Sequence, residues 1–338
     1  MSRRKLALIL LVGFVAATAG AASLEEAWDN LKLRYFSLTR FLHDQDKELR
    51  DLEAQGIDPA EFTRIDLDQL LDGGPPKDGI PSIDEPRFDR ADETPFGDDA
   101  LVLGLVVDGD ARAYPYGILN WHEIVNDTVG GVPVTITYCP LCDTGIVFER
   151  GDRTFGVSGK LYQSCLVMYA RDTETLFAQP WGLGIVGPEV DQSLDRLPVV
   201  KTTLGAWRER HAGTRVLSVD TGHRRDYFES PYGTYDRNRE LVFPVRNQDA
   251  LEVHPKAIVS YVWEPGEERE RDSAGGPSAQ VVHTELKDRG EQQVRLGERV
   301  IRAQWDAKLG TVTFTDEEGR TVPSSTAFAF VYPAFFGE

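Results

Sequence analysis

The stretch Val132-Pro133-Val134-Thr135-Ile136-Thr137-Tyr138-Cys139-Pro140-Leu141-Cys142-Asp143-Thr144-Gly145-Ile146-Val147-Phe148 decides the fold class. Its flanks are β-branched and aromatic, and its centre is a tight Cys-Pro-x-Cys-Asp-Thr-Gly segment. It therefore reads as a hairpin, strands 132–138 and 146–148, with two thiols in the turn. Working outward, short apolar runs of the same kind occupy 101–107, 111–114, 154–157 and 166–169, and resume at 300–304 and 311–314. Asp108-Gly109 and Gly130-Gly131 punctuate them as turn signals. Helical patterns are few: 116–125, with Leu119, Trp121 and Val125 on one side, and 203–211. The expectation is a mainly β protein, a sandwich or partly closed barrel, α+β overall, with a few inserted helices.

The start of the chain reads differently. Arg3, Arg4 and Lys5 precede an apolar run, 6–17, followed by small residues, so 1–21 has the form of a signal peptide cleaved after Ala21 or Ala22. The run, about 12 residues, is shorter than the roughly 20 that span a bilayer, and no stable membrane span is expected after cleavage. Ser2-Arg3-Arg4 resembles a twin-arginine signal, but the short basic region favours ordinary export. The expected destination is the periplasm or the exterior. Removing three bases and no acid takes the net charge from -18 to -21. Such a charge disfavours nucleic acid as a partner, and the acids lack the spacing of calcium loops.

Next, Ser23 and Glu26 form a capping box, and Leu24, Trp28, Leu31, Tyr35, Leu38, Leu42, Leu49 and Leu52 recur at spacings of three and four. A long helix over 24–55 follows, in a helical arm spanning 22–56. Its seam could self-associate, or lie across the protein's own body. Residues 57–99 read as an acidic, turn-rich linker with a short helix at 59–71. A β-rich module covers 100–245. A C-terminal β lobe, 246–338, contains a polar loop at 264–290 and ends in aromatics; Ser325-Thr326-Ala327-Phe328-Ala329-Phe330 faintly echoes Thr203-Leu204-Gly205-Ala206-Trp207, as in a degenerate repeat.

Four readings compete for the Cys-Pro-x-Cys. A structural disulfide would close so short a loop that it contributes only roughly 2 kcal/mol. A thioredoxin-like redox pair, as in a periplasmic thiol redox protein, needs a helix behind the first thiol, yet Ile146-Val147-Phe148 reads as strand. A metal centre needs further ligands: His122 is the best, with Met168 and Cys165 as soft donors suited to copper, zinc being the other candidate. Asp78, Asp84, Glu123, Asn126 and Asp127 are further residues that could line such a site. The fourth reading is a non-catalytic extracellular binding module, in which a disulfide shapes a groove and Trp181, Tyr227, Tyr232 and Tyr235 make the contact surface. Two similar-looking motifs are set aside. Asp143-Thr144-Gly145 and Asp220-Thr221-Gly222 lack the setting of an aspartic protease pair. Gly156-Val157-Ser158-Gly159-Lys160 fits neither a phosphate-binding loop nor a nucleophile elbow.

Several motifs in fixed order, Lys77-Asp78-Gly79-Ile80-Pro81-Ser82-Ile83-Asp84, Ala113-Tyr114-Pro115, Asn120-Trp121-His122-Glu123-Ile124-Val125-Asn126-Asp127, the Cys139 to Cys142 segment, Phe155-Gly156-Val157-Ser158-Gly159 and Leu166-Val167-Met168-Tyr169, resemble the bacterial family called domain of unknown function 3179 (DUF3179) over about residues 70–245. The resemblance implies an exported, two-lobed protein. It also implies that the 77–84 segment, the His122 helix and the thiols belong to one module, and it carries no activity with it. Asp143 stands where relatives have a small residue, and Cys165 where they have a polar one. The leading expectation is a metal or thiol centre at Cys139 and Cys142.

Overall fold

The computed structural model describes residues 47–266 and 270–337. The expected signal peptide and the expected arm as far as residue 46 lie outside the described residues. The end of the arm, α1 (Lys47–Ala54), sets Leu52, fully buried, into the largest hydrophobic core, with Leu49 packed beside it. This end of the seam lies on the protein's own body.

Residues 59–71 are not a helix. They supply one 3-10 turn, Leu67–Gln69, and then β1 (Leu70–Asp72). β2 (Phe88–Arg90), β3 (Leu101–Val107), β4 (Asp110–Pro115), α2 (Tyr116–His122) and β5 (Ile124–Val129) follow, then the hairpin β6 (Val132–Cys139) and β7 (Thr144–Glu149), paired Tyr138 to Gly145 and Cys139 to Thr144. A second hairpin, β8 (Phe155–Tyr162) and β9 (Cys165–Ala170), precedes β10 (Leu176–Ala178), β11 (Leu183–Val186), β12 (Arg196–Leu197), β13 (Val199–Thr203), α3 (Leu204–Arg210) and β14 (Arg215–Leu217). Residues 218–257 contain only short 3-10 turns. The rest is β15 (Ile258–Trp263), β16 (Ser278–Val282), α4 (His283–Arg289), β17 (Glu291–Leu296), β18 (Arg299–Asp306), β19 (Thr311–Thr315), β20 (Ser325–Phe328) and α5 (Val331–Phe336).

The strands form four sheets, none closed into a barrel: β1-β8-β9-β10-β11; β16-β15-β20-β7-β6-β5, with β12 also on β7; β13-β3-β4-β14-β2; and β17-β18-β19. The protein is mainly β, as its short apolar runs and turn signals predict. The first two sheets share the main core, in which Trp181 packs against Tyr162 and, edge to face, against Phe335 of α5. The third sheet packs a second core on α2, β5 and β6.

Several expectations change. Residues 278–289, inside the expected polar loop, are β16 and α4: Val281 and Leu286 are buried, which holds the segment against the fourth sheet. The two echoing stretches fold differently, one into β20 and the other into α3. The second sheet runs across residue 245: β20 inserts between β7 and β15, pairing Thr326 with Gly145 and Ser325 with Tyr261. Among the described residues, no helix is long and apolar enough to cross a membrane.

Candidate functional site

Glu123 ends α2 where a glycine or asparagine usually stands. Its backbone takes a φ of 57°, its N–H caps the helix on the Leu119 carbonyl at 2.8 Å, and the next residue already pairs in β5. Holding a non-glycine residue there costs on the order of 1 kcal/mol. The turn directs its carboxyl into a wall where it is only 7 % exposed. Burial pushes the acid up to about 7, opposed by the hydrogen bond that the Tyr232 hydroxyl donates to Oε1 at 2.9 Å.

Trp121, His122 and Glu123 each grip the same irregular segment. The Trp121 indole N–H donates to the carbonyls of Asp226 at 2.9 Å and Glu229 at 3.2 Å. His122 Nδ1 lies 2.7 Å from the Pro81 carbonyl, which can only accept, so Nδ1 carries the proton and Nε2 accepts from the Tyr227 hydroxyl at 2.8 Å. The Thr221 hydroxyl continues this chain to Tyr227. Burial lowers His122 to about 4, keeping it neutral near pH 7.

Under this segment lies a cavity of about 970 Å³ between the first and second sheets. Its walls are largely apolar, with Pro75, Ile80, Leu141, Val157, Leu166 and Phe243 among them, and Asn120, Glu123, Lys160, Ser230 and Tyr232 are among its polar features. Arg224, Arg225, Asp226 and Glu229 stand on the overlying segment. An apolar cavity with a few polar groups on its wall, one a buried carboxyl raised toward neutrality, is the usual form of a ligand site.

The thiols lie just behind this wall. Cys139, Cys142 and Cys165 are free and buried, and the Cys142 thiol is in hydrogen-bonding contact with Cys139 on one side and Cys165 on the other. Glu123 and Tyr232 lie close enough to Cys139 to act on its charge. Burial raises all three thiols, Cys165 to about 11, which leaves them protonated. The structure thus brings the cysteines and Glu123 together and turns both His122 nitrogens elsewhere. Among the described residues, no three His, Cys, Asp or Glu side chains are gathered so as to hold a metal ion.

The other expected residues hold the frame. Met168 is buried in β9 opposite Val157 and Phe177. Asp78 accepts from the Tyr169 hydroxyl at 2.6 Å, and Asp84 from Asn126 at 2.7 Å and Arg171 at 2.9 Å. Asn126 also ties β5 to both backbone groups of Phe155. Asp127 takes Arg112 and the Tyr114 hydroxyl. Trp181, Tyr227 and Tyr235 are at most 5 % exposed, so they are not a contact surface; they fill cores. Asp143 pairs with Lys201 and Asp220 with Arg87, in separate ion pairs. Sequence reading missed Lys160, whose signal was the glycine before it in a motif judged only against phosphate loops and nucleophile elbows.

No curated protein and no solved structure matches the chain. The family profile described as "Protein of unknown function (DUF3179)" matches residues 77–338, reaching through β20 and α5 and past the 70–245 expected from the motifs. The Trp121-His122-Glu123 segment, the cavity wall from Gly79 onward, the thiols and the C-terminal strand all lie within the matched residues, and the chain belongs to the DUF3179 family.

Proposed function

We propose that this protein binds a small, mostly apolar organic molecule in the cavity between its first two sheets and exchanges a proton with it through Glu123, acting outside the cytoplasm as residues 1–21 suggest. The observation that carries the reading is a buried carboxyl with a pKa of about 7 on the wall of a cavity of about 970 Å³. A carboxyl with that pKa is a poised acid or base near neutral pH, and its positive-φ backbone is the kind of strain that collects at working sites. Tyr232, donating to the same carboxyl, steadies its orientation.

The test is a fluorescence titration of the chain with N-phenyl-1-naphthylamine, a neutral two-ring probe. Saturable binding is expected, lost in Leu166→Trp, which fills the cavity, with folding checked by circular dichroism. Binding should weaken between about pH 6 and about pH 8 as Glu123 ionises in an apolar wall, and the dependence should vanish in Glu123→Gln. Absence of saturable binding, or binding untouched by Leu166→Trp, overturns the reading. Metal analysis of the same preparation tests the copper or zinc expected at Cys139 and Cys142: stoichiometric metal, lost in the Cys139→Ser, Cys142→Ser double variant, would move the site from the cavity to the thiols.

A further inference from the structure

We infer that the molecule this cavity accepts bears a carbonyl group on an uncharged, apolar body, its oxygen held by the Glu123 carboxyl and the Asn120 carboxamide together. The inference rests on the ligand-binding reading of the cavity and adds a substrate class to it.

Glu123 is 7 % exposed, and its two oxygens are used unequally. Oε1 accepts from the Tyr232 hydroxyl at 2.9 Å, whereas Oε2 makes no hydrogen bond to a described residue. In the neutral carboxyl the proton therefore sits on Oε2, as a donor without an acceptor. With burial holding the acid at about 7, that form is present up to neutral pH. Asn120, half-buried, stands three positions earlier in α2, and its carboxamide also makes no hydrogen bond to a described residue. Three positions is the spacing that places side chains on one side of a helix, and both residues border the cavity. Burying a polar group without a partner is costly, so such groups on a native wall point to a ligand. The turn that carries them is pinned: the Glu123 N–H bonds the Leu119 carbonyl at 2.8 Å, and its own carbonyl accepts the Tyr138 N–H at 2.7 Å.

The chemistry of the pair selects the partner. A carbonyl oxygen has two lone pairs, which match one O–H from Glu123 and one N–H from Asn120. The titratable groups around them are engaged or neutral. His122 spends both ring nitrogens on Pro81 and Tyr227, and Tyr232 and Cys139, which face Glu123, are held protonated by burial. Lys160 reaches the cavity through a bulge: the β8–β9 pairing lapses between Val157 and Leu161, where Gly159 has a φ of 82°. Its ammonium is engaged by Glu48 at 3.7 Å and Asp72 at 3.8 Å, among other partners. An organic cation would bring a second positive charge into the largely apolar cavity that Lys160 already borders. An organic anion would meet a carboxyl that itself ionises near neutrality. A neutral carbonyl compound incurs neither cost.

The test compares three molecules of one shape by calorimetric titration: 2-acetylnaphthalene, 2-ethylnaphthalene and 1-(2-naphthyl)ethylamine, which carry a carbonyl, no polar group and an ammonium. At about pH 6, Glu123→Leu and Asn120→Leu should each weaken the ketone about tenfold and leave the hydrocarbon within about twofold, with folding checked by circular dichroism. Glu123→Gln keeps an N–H donor and should hold the ketone within about threefold of wild type, without the fall in affinity that wild type shows between about pH 6 and about pH 8. A ketone that either leucine variant weakens no more than the hydrocarbon overturns the inference, and so does an ammonium that binds wild type more tightly than the ketone. Should Glu123→Leu fail to fold, the infrared carbonyl stretch of the ketone bound to wild type decides. It should lie below its frequency in hexane at about pH 6 and rise by about pH 8 as the O–H donor is lost, and a stretch that stays at the hexane value overturns the inference. N-phenyl-1-naphthylamine that does not bind at all sinks the cavity reading itself, whereas a bound naphthylamine with no effect of the leucine variants on the ketone sinks only this inference.

Discussion

Glu123 and His122 are adjacent in sequence and displaced in opposite directions by the same cause. Burial favours the neutral form of each, raising the acid to about 7 and lowering the base to about 4. The consequences for stability have opposite signs. Glu123, ordinarily at 4.5, is raised in the folded state, so its contribution is complete below pH 4.5 and is lost as pH climbs through about 7. The loss amounts to about 3 kcal/mol. His122, ordinarily at 6.5, is lowered, so its contribution is complete above 6.5 and is lost as pH falls through about 4. Glu123→Gln keeps the histidine and removes the acid. Its stability relative to wild type, followed by urea unfolding, should therefore rise from about pH 5 to about pH 8 by a few kcal/mol. A difference independent of pH would show that Glu123 titrates as an ordinary exposed acid.

At the scale of elements, α2 is a seven-residue helix whose last turn and cap hold down a segment more than a hundred residues away. The Trp121 indole N–H reaches two carbonyls of that segment, and such a bond is worth about 1 kcal/mol net. Trp121→Phe keeps the ring in place and removes the donor. Trypsin should then cut after Arg224 or Arg225 about fivefold faster, with the melting temperature changed by only a few degrees, because the segment opens without the core. Unchanged cleavage would show that the indole does not restrain it. Sequence periodicity located this helix but ran it to 125, since Ile124 and Val125 continue an apolar stripe; the break at Glu123 comes from a backbone conformation for which glutamate is not a signal. The helix expected at 59–71 and the loop expected at 264–290 failed because short segments take the state that their packing offers them.

For the whole molecule, the decisive strand is the last one. β20 lies inside the second sheet between β7 and β15, the Phe328 N–H donates to the Cys142 carbonyl at 2.9 Å, and Phe335 of α5 packs on Trp181 and Tyr162. A chain ending before Ser325 would remove the strand that joins β7 to β15, splitting the second sheet, and leave the main core open. It should lose its cooperative thermal transition, because the lost burial is comparable with a domain's entire stability of about 5–15 kcal/mol. A sharp calorimetric transition in that truncated protein would show instead that residues 47–324 fold alone.

The sequence by itself determined the class of this protein: short apolar runs and turn signals are local, set within a few positions, and they marked the hairpins of β3 and β4, β6 and β7, and β8 and β9. It also marked Asn120-Trp121-His122-Glu123 and the thiol turn as places dense in chemistry. Only the tertiary structure decided how they combine. Tyr232 reaches Glu123 across a separation of 109 residues, and Tyr227 claims His122 across 105, so the histidine serves the overlying segment and not the thiols. Lys160 meets the same cavity through a bulge whose need for glycine is set by the Pro75 carbonyl. Contacts between distant residues arise from packing of whole sheets, and no local spacing encodes them.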